Sequence, residues 1–165
     1  MKHLIFTLVL LFSYINALTF PNNFEANFTQ TINNNGKKLY YKGKIFYKNS
    51  KILWKYSYPV KKYIWINEKV YVYEPNLMQV TISKRPKFTL QNILKNAKKE
   101  KNFYIAKINN KKVYFIYDKT IKSLHYKDEA GNLVTITFSN TSTKPLKDSI
   151  FVPTYPQDVD FIYQR

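Results

Sequence analysis

Very few side chains in this sequence could carry acid–base, nucleophilic or metal chemistry. There is no cysteine, and apart from His3 near the start the one histidine is His125. No cysteine–histidine triad and no His/Cys metal cluster can be assembled from that set. A lone histidine in a strand is normally structural or simply exposed. The ten carboxylates are scattered, and the closest pair at strand spacing, Asp158 and Asp160, suits turn capping or a strand edge better than acid–base work. Three glycines in all leave no phosphate-cradling loop. The inventory points away from an enzyme, and no metal or cofactor is expected. The residue types in surplus are aromatic and β-branched, which line hollows and cores and do not make or break bonds.

These residues fall into short runs that alternate with lysine and are punctuated by Asn and Gly, the grammar of strands and turns. The runs predict strands over 24–31, 40–47, 52–58, 62–67, 69–73, 78–82, 103–108, 112–117, 121–127, 133–139 and 159–163. Turns are expected at Asn33-Asn34-Asn35-Gly36, Asn67-Glu68-Lys69, Asn109-Asn110 and Ala130-Gly131-Asn132, where Asn and Gly tolerate positive φ. Short turns imply an antiparallel sheet. One segment departs from this pattern: Leu90, Ile93, Leu94 and Ala97 follow helical spacing, with Thr89 placed to cap the first turn. A sheet of about ten strands twists and curls and needs closure or a cover. A short helix over a curled sheet leaves a concave apolar space, the natural place for a ligand.

The start of the chain has a different job. A basic opening, the apolar run Leu4-Ile5-Phe6-Thr7-Leu8-Val9-Leu10-Leu11-Phe12 and the small residue Ala17 read as a signal peptide over residues 1–17, cut after Ala17. The run is too short to cross a bilayer, which takes about 20 residues. A single domain over residues 18–165 is expected, soluble after cleavage. Without cysteine, that exported domain carries neither a disulfide nor the lipidated cysteine of a bacterial lipoprotein. The formal charge of +17 would ordinarily suggest nucleic acid or an anionic membrane. All the basic residues except Arg85 and Arg165 are lysines, however, and they are spread singly or in pairs as on solvated strand faces. With Asn, Tyr, Phe and Ile also abundant, this is the mixture an AT-rich genome imposes, and no nucleic-acid partner is expected.

Five fragments carry a family resemblance. Phe24-Glu25-Ala26-Asn27-Phe28-Thr29-Gln30 resembles the opening F-x-A-x-F-x-Q strand of the LolA family of outer-membrane lipoprotein carriers. Tyr41-Lys42-Gly43 is similar to the Y-x-G that follows. Ile52-Leu53-Trp54-Lys55-Tyr56, with Pro59 beyond it, resembles F-R-W-x-Y and its proline. Tyr73-Glu74-Pro75-Asn76-Leu77-Met78-Gln79-Val80 resembles Y-D-P-x-L-x-Q-V. Finally, Phe151-Val152-Pro153 with Pro156-Gln157-Asp158-Val159-Asp160-Phe161-Ile162 resembles F-x-x-P-x-G-V-D-V-I. The five occur in the family's order. Two departures stand out. Lys48 and Asn49 fall where the family has an arginine and a proline, and only residues 18–23 precede Phe24, where the family has an amphipathic helix.

The resemblance implies an incomplete, unclosed β-barrel of antiparallel strands with one or two short lid helices over an apolar cavity. It implies a periplasmic carrier, expected as a monomer, that takes the acyl chains of lipoproteins from an inner-membrane lipoprotein-releasing ABC transporter and delivers them to an outer-membrane acceptor. A sensing module of the same fold, binding lipoprotein or a regulatory partner without transport, is the alternative. On the strand around Trp54, Ile52, Trp54, Tyr56 and Tyr58 share one face, and the resemblance turns Ile52 and Trp54 inward. Ile52, Trp54 and Tyr56, with Leu77, Met78, Leu90, Ile93 and Leu94, are the expected cavity and lid residues. Lys48 and Lys51 are expected as charges near the cavity mouth.

Overall fold

The computed structural model describes residues 18–87, 89–108 and 110–164. The expected signal peptide lies outside them, as does Asn109 of the third turn. Twelve strands form one sheet: β1 (Asn23–Asn34), β2 (Lys37–Lys48), β3 (Lys51–Tyr58), β4 (Lys62–Ile66), β5 (Lys69–Glu74), β6 (Gln79–Lys84), β7 (Lys98–Glu100), β8 (Phe103–Ile108), β9 (Lys111–Asp118), β10 (Thr120–Lys127), β11 (Leu133–Ser142) and β12 (Asp160–Tyr163). Their order is β12-β6-β5-β4-β3-β2-β1-β11-β10-β9-β8-β7, so the sheet does not close on itself. It comprises two meanders, β1–β6 and β7–β11, joined where β1 pairs antiparallel with β11.

Turn chemistry sets the registers. Asn35 and Gly36 both take positive φ between β1 and β2, and Gly131 does so between β10 and β11. Asn49 and Ser50, at φ 47° and 70°, join β2 to β3 through two left-handed residues, the arrangement whose twist matches a tight hairpin. The sequence reading passed over that turn because serine seldom adopts this conformation.

The strands run much as expected, with two differences. β12 pairs parallel with β6, against the expectation of a wholly antiparallel sheet. The chain reaches β12 through a long crossing segment instead of a hairpin, and such a connection permits parallel pairing. β7 was not expected: Lys98, Lys99 and Glu100 are all exposed and show no apolar alternation, only the charged character that blunts a sheet edge.

Helix α1 (Leu90–Lys95) sits between the two meanders in sequence. As expected, Thr89 caps it, accepting from the Asn92 N–H at 3.2 Å. No helix among the described residues is long and apolar enough to cross a membrane.

Both faces of the sheet carry a core. On the inner face, Phe24, Ala26 and Phe28 of β1 pack with Ile45, Tyr47, Phe115, Ile121, Ile136 and Phe138, and α1 docks there through the buried Leu94. On the outer face, Leu53, Trp65, Tyr73, Val80 and Ile82 are covered by Phe151 and Val159 of the C-terminal segment. Gly43 explains the tight join between β2 and its neighbours. A Cβ at that point would stand 2.0 Å from the Lys55 carbonyl oxygen and 2.8 Å from the Phe28 ring. Any larger residue would push the Phe28 ring off the inner wall.

Candidate functional site

Among the described residues, apolar side chains line unfilled space on the inner face of the sheet. β3 builds its floor. Alternation turns Ile52, Trp54 and Tyr56 inward, where all three are partly buried and pack against the inner core. The Phe28 ring lies 4.8 Å from that of Trp54 and 5.0 Å from that of Tyr56. Tyr58, expected on the same face, is 54 % exposed and stands outside this cluster. In register with Trp54 and Ile52, Ile64 and Ile66 of β4 pair with Val72 and Val70 of β5, so the half-buried apolar floor continues across three strands. The sequence reading missed that extension, because Trp65 between Ile64 and Ile66 makes an unbroken apolar run that hides which face each residue takes.

α1 divides the hollow. On one side lies a cavity of about 370 Å³, walled by Leu90, Ile93 and Leu94 of the helix and by Val113, Phe115, Ile121, Leu124 and Tyr126 of β9 and β10. On the other lies a cavity of about 250 Å³ between Leu90 and Ile93 and the β2–β4 wall of Ile45, Tyr47, Ile52, Trp54 and Ile66. Leu90, Ile93 and Ile108 face both. The β9–β10 wall was not singled out from the sequence, although the alternation of Val113 with Phe115 carried the signal.

Residues 18–22, before β1, lie against the inner face without regular secondary structure. Phe20 is buried against Phe24 and Tyr47, and its N–H donates to Gln91 Oε1 of α1 at 3.1 Å. The Tyr117 hydroxyl donates to the Thr19 carbonyl. Among the described residues, the cover of the hollow is thus a six-residue helix and the segment 18–22, tied to each other.

Tyr56 lines neither cavity and is held beside them by a polar contact. The Tyr56 hydroxyl donates to Gln30 Oε1 at 2.9 Å. Burial, with a smaller contribution from nearby Tyr126, pushes the Tyr56 hydroxyl up to about 12. Burial also raises the Tyr126 hydroxyl above its ordinary value. These groups stay neutral at any physiological pH. The Trp54 indole N–H is close enough to Tyr56 to temper that shift, yet it makes no hydrogen bond of good geometry. Among the described residues no group of histidine and carboxylate side chains could hold a metal ion.

Leu77, Met78 and Lys48 lie away from the hollow, whereas Lys51 stands at its rim. Leu77 and Met78, at the short 3-10 turn between β5 and β6, are 62 % and 37 % exposed and line neither cavity. Their place on a tight turn, with Met78 at positive φ, keeps them out of the hollow. Lys48 points to the outer face, because Ile45 and Tyr47 take the inward positions of β2. It donates to the Leu146 carbonyl at 2.7 Å and pairs with Asp148 at 3.3 Å, fastening the C-terminal segment. Lys51 is exposed and lines a polar cavity of about 380 Å³ at the rim, beside Asn49, Asn67, Glu68 and Arg85. Arg85, which the sequence reading noted only as a rare arginine, lines both that cavity and the smaller apolar one.

No family model matches the chain. An "Outer-membrane lipoprotein carrier protein" of Helicobacter pylori is 41 % identical over 135 residues, 79 % of this chain and 73 % of that protein. One of the same description from Campylobacter jejuni is 31 % identical over 146 residues, 86 % of each chain. Among solved structures, a LolA superfamily protein from Nitrosomonas europaea matches with a TM-score of 0.55 at 11 % identity, over 82 % of this chain and 93 % of that one. An uncharacterized conserved protein from Thermus thermophilus matches with a TM-score of 0.55 at 13 % identity, over 90 % of this chain and 93 % of that one.

Proposed function

Because the chain belongs to the outer-membrane lipoprotein carrier family, LolA, we propose that it shuttles lipoproteins across the periplasm by holding their acyl chains against the inner face of its sheet. In this reading residues 1–17 direct export and are removed after Ala17, and residues 18–165 are the working domain. The observation that carries it is the pair of apolar cavities separated by α1. Their walls are mainly aliphatic and aromatic, with Lys111, Lys127, Asp128 and Glu129 at the edge of the larger and Arg85 at the edge of the smaller, which suits chains accepted without fixed geometry.

The magnitudes constrain the cycle. A lipoprotein anchor of up to three acyl chains has roughly 40 methylenes, and at about 0.8 kcal/mol each its aversion to water is on the order of 30 kcal/mol. Free diffusion is excluded on that scale. Non-covalent affinity saturates near about 20 kcal/mol, so a carrier cannot pull such an anchor from a bilayer unaided. Loading is driven from outside, by an inner-membrane lipoprotein-releasing ABC transporter, and unloading runs downhill to an outer-membrane acceptor.

Neither cavity holds such an anchor as it stands. Ligand pockets for drug-sized molecules run from roughly 300 to 1,000 Å³, and the two here are about 370 and 250 Å³. Displacing α1 merges them and bares the Ile64–Val72 floor. A six-residue helix is well suited to this role, since isolated helices shorter than about 12 residues are marginal in water and α1 depends on Leu94 for its place. A carrier of this kind works as a monomer, with catalysis playing no part.

The test is uptake. Purified mature protein is expected to bind acylated peptide, and Ile52→Gln or Trp54→Gln to abolish binding while the fold persists. Folded variants that bind as well as the parent would sink the assignment. Cross-linking in cells followed by mass spectrometry is expected to recover many lipoproteins together with the transporter. Recovery of a single partner would point to a sensing module instead.

A further inference from the structure

Arg85 stands where an apolar space meets a polar one. Its side chain lines the small cavity beneath α1, among Ile52, Trp54 and Ile93, and also the rim cavity that holds Lys51. Nη1 donates to the Asn67 carbonyl at 2.7 Å and Nη2 to the Ser50 carbonyl at 2.8 Å, which fixes the guanidinium across the tips of the β4–β5 and β2–β3 turns. Both partners are neutral, and only two of the five guanidinium N–H donors are spent on them. Among the described residues Arg85 takes part in no ion pair. Glu68, the one carboxylate on the rim cavity, pairs with neither Arg85 nor Lys51.

A part-buried guanidinium with donors to spare and no counter-ion suits an incoming anion, because its desolvation is only partly offset by neutral carbonyls. Position narrows the ligand further. Because Arg85 lines both cavities, an anion bound to it lies at the border of the apolar cavity under α1. The choice of residue is consistent with this: the described residues are otherwise basic through lysine alone, and the planar fork and permanent charge of arginine are what a fixed carboxylate or phosphate contact uses.

We infer that the rim around Arg85, assisted by Lys51, binds the anionic head of an acyl-chain amphiphile, a carboxylate or a phosphate, while its chain lies in the cavity beneath α1. The site rests on the carrier reading for its apolar half and adds a charged specificity to it. Arg85 thus ranks acylated ligands by the charge next to the chain, a discrimination that aliphatic walls cannot make.

The experiment titrates the purified chain with three probes that share a sixteen-carbon chain: palmitate, palmitoyl-lysophosphatidylglycerol and monopalmitoylglycerol, each below its micelle concentration. At least one anionic probe is expected to bind about tenfold more tightly than the neutral one, the scale of one charge-assisted hydrogen-bond pair. Which of the two does so identifies carboxylate or phosphate as the preferred head. Arg85→Gln is expected to bring the ratio close to one, with circular dichroism and the thermal midpoint showing that the fold survives; Arg85→Lys keeps part of the ratio. Equal affinities for all three probes in the parent, or an undiminished ratio in Arg85→Gln, overturn the inference and leave the carrier reading intact. If none of the three binds, the carrier reading fails and the inference falls with it.

Discussion

On the outer face of the sheet, Leu53, Trp65, Tyr73, Val80 and Ile82 meet Phe151 and Val159 from a segment hydrogen-bonded to the sheet at several points. The Trp65 indole N–H donates to the Ile150 carbonyl, Asn67 to that of Phe151 and Lys48 to that of Leu146. On the inner face, a wall equally rich in aromatic and aliphatic groups meets α1 and residues 18–22, and two cavities remain. The two faces differ little in composition. Among the described residues they differ in what covers them: a long segment stitched down through backbone carbonyls, or a helical turn and a half and residues 18–22, held by Leu94, Phe20, one Gln91 contact and the Tyr117–Thr19 bond. A hollow that must open needs the weaker cover, because local opening follows the contacts that have to be broken.

The largest expected effect probes the sealed side. Phe151→Ala removes a ring that is 2 % exposed and is expected to cost about 3–5 kcal/mol of unfolding free energy by denaturant titration. Ile93→Ala, on the helix face between the two cavities, is expected to cost no more than about 1 kcal/mol, because less apolar surface is withdrawn from water there. Similar costs for the two would erase the distinction between the faces.

Gly43→Ala asks whether the floor of the hollow is rigid even though its cover is not. The added Cβ meets a backbone oxygen that cannot step aside, and the expected loss is about 1–3 kcal/mol, with the Phe28 resonances in an NMR spectrum shifting as the ring is displaced. An unchanged spectrum and stability would mean that the floor yields as readily as the lid.

Tyr56→Phe gives the smallest effect and a pH signature. The unfolded tyrosine ionises near 10, whereas burial holds the folded hydroxyl to about 12. The folded chain therefore keeps a proton that the unfolded chain loses, and stability falls as pH rises through that window. Tyr56→Phe is expected to lose about 1 kcal/mol at neutral pH with the Gln30 bond and to show a shallower decline between pH 10 and 12. An equally steep decline in the variant would place the titrating group elsewhere.

How much of this was legible in the sequence depends on how many faces of a strand are covered. In β1, where Phe24, Ala26 and Phe28 alternate with polar residues, both the strand and its inward face could be read directly. α1 was legible for a similar reason, since Thr89 and the Leu90–Ile93–Leu94 spacing agree with each other. β2 and β4 were not: they are apolar on both sides near their ends, so Phe46 beside Ile45 and Tyr47, and Trp65 between two isoleucines, leave the facing undetermined. The parallel pairing of β12 and the fork of Arg85 depend on residues far apart in sequence, and no local pattern announces them.

The two tryptophans report on the two faces separately, and one titration compares them. With acylated peptide added to Trp65→Phe, the emission of Trp54 in the hollow is expected to shift to shorter wavelength and strengthen as chains replace water around the indole. The same additions to Trp54→Phe should leave the emission of Trp65, sealed under the C-terminal segment, unmoved. A response from Trp65, or silence from Trp54 at concentrations where peptide binds, would contradict an inner-face carrier.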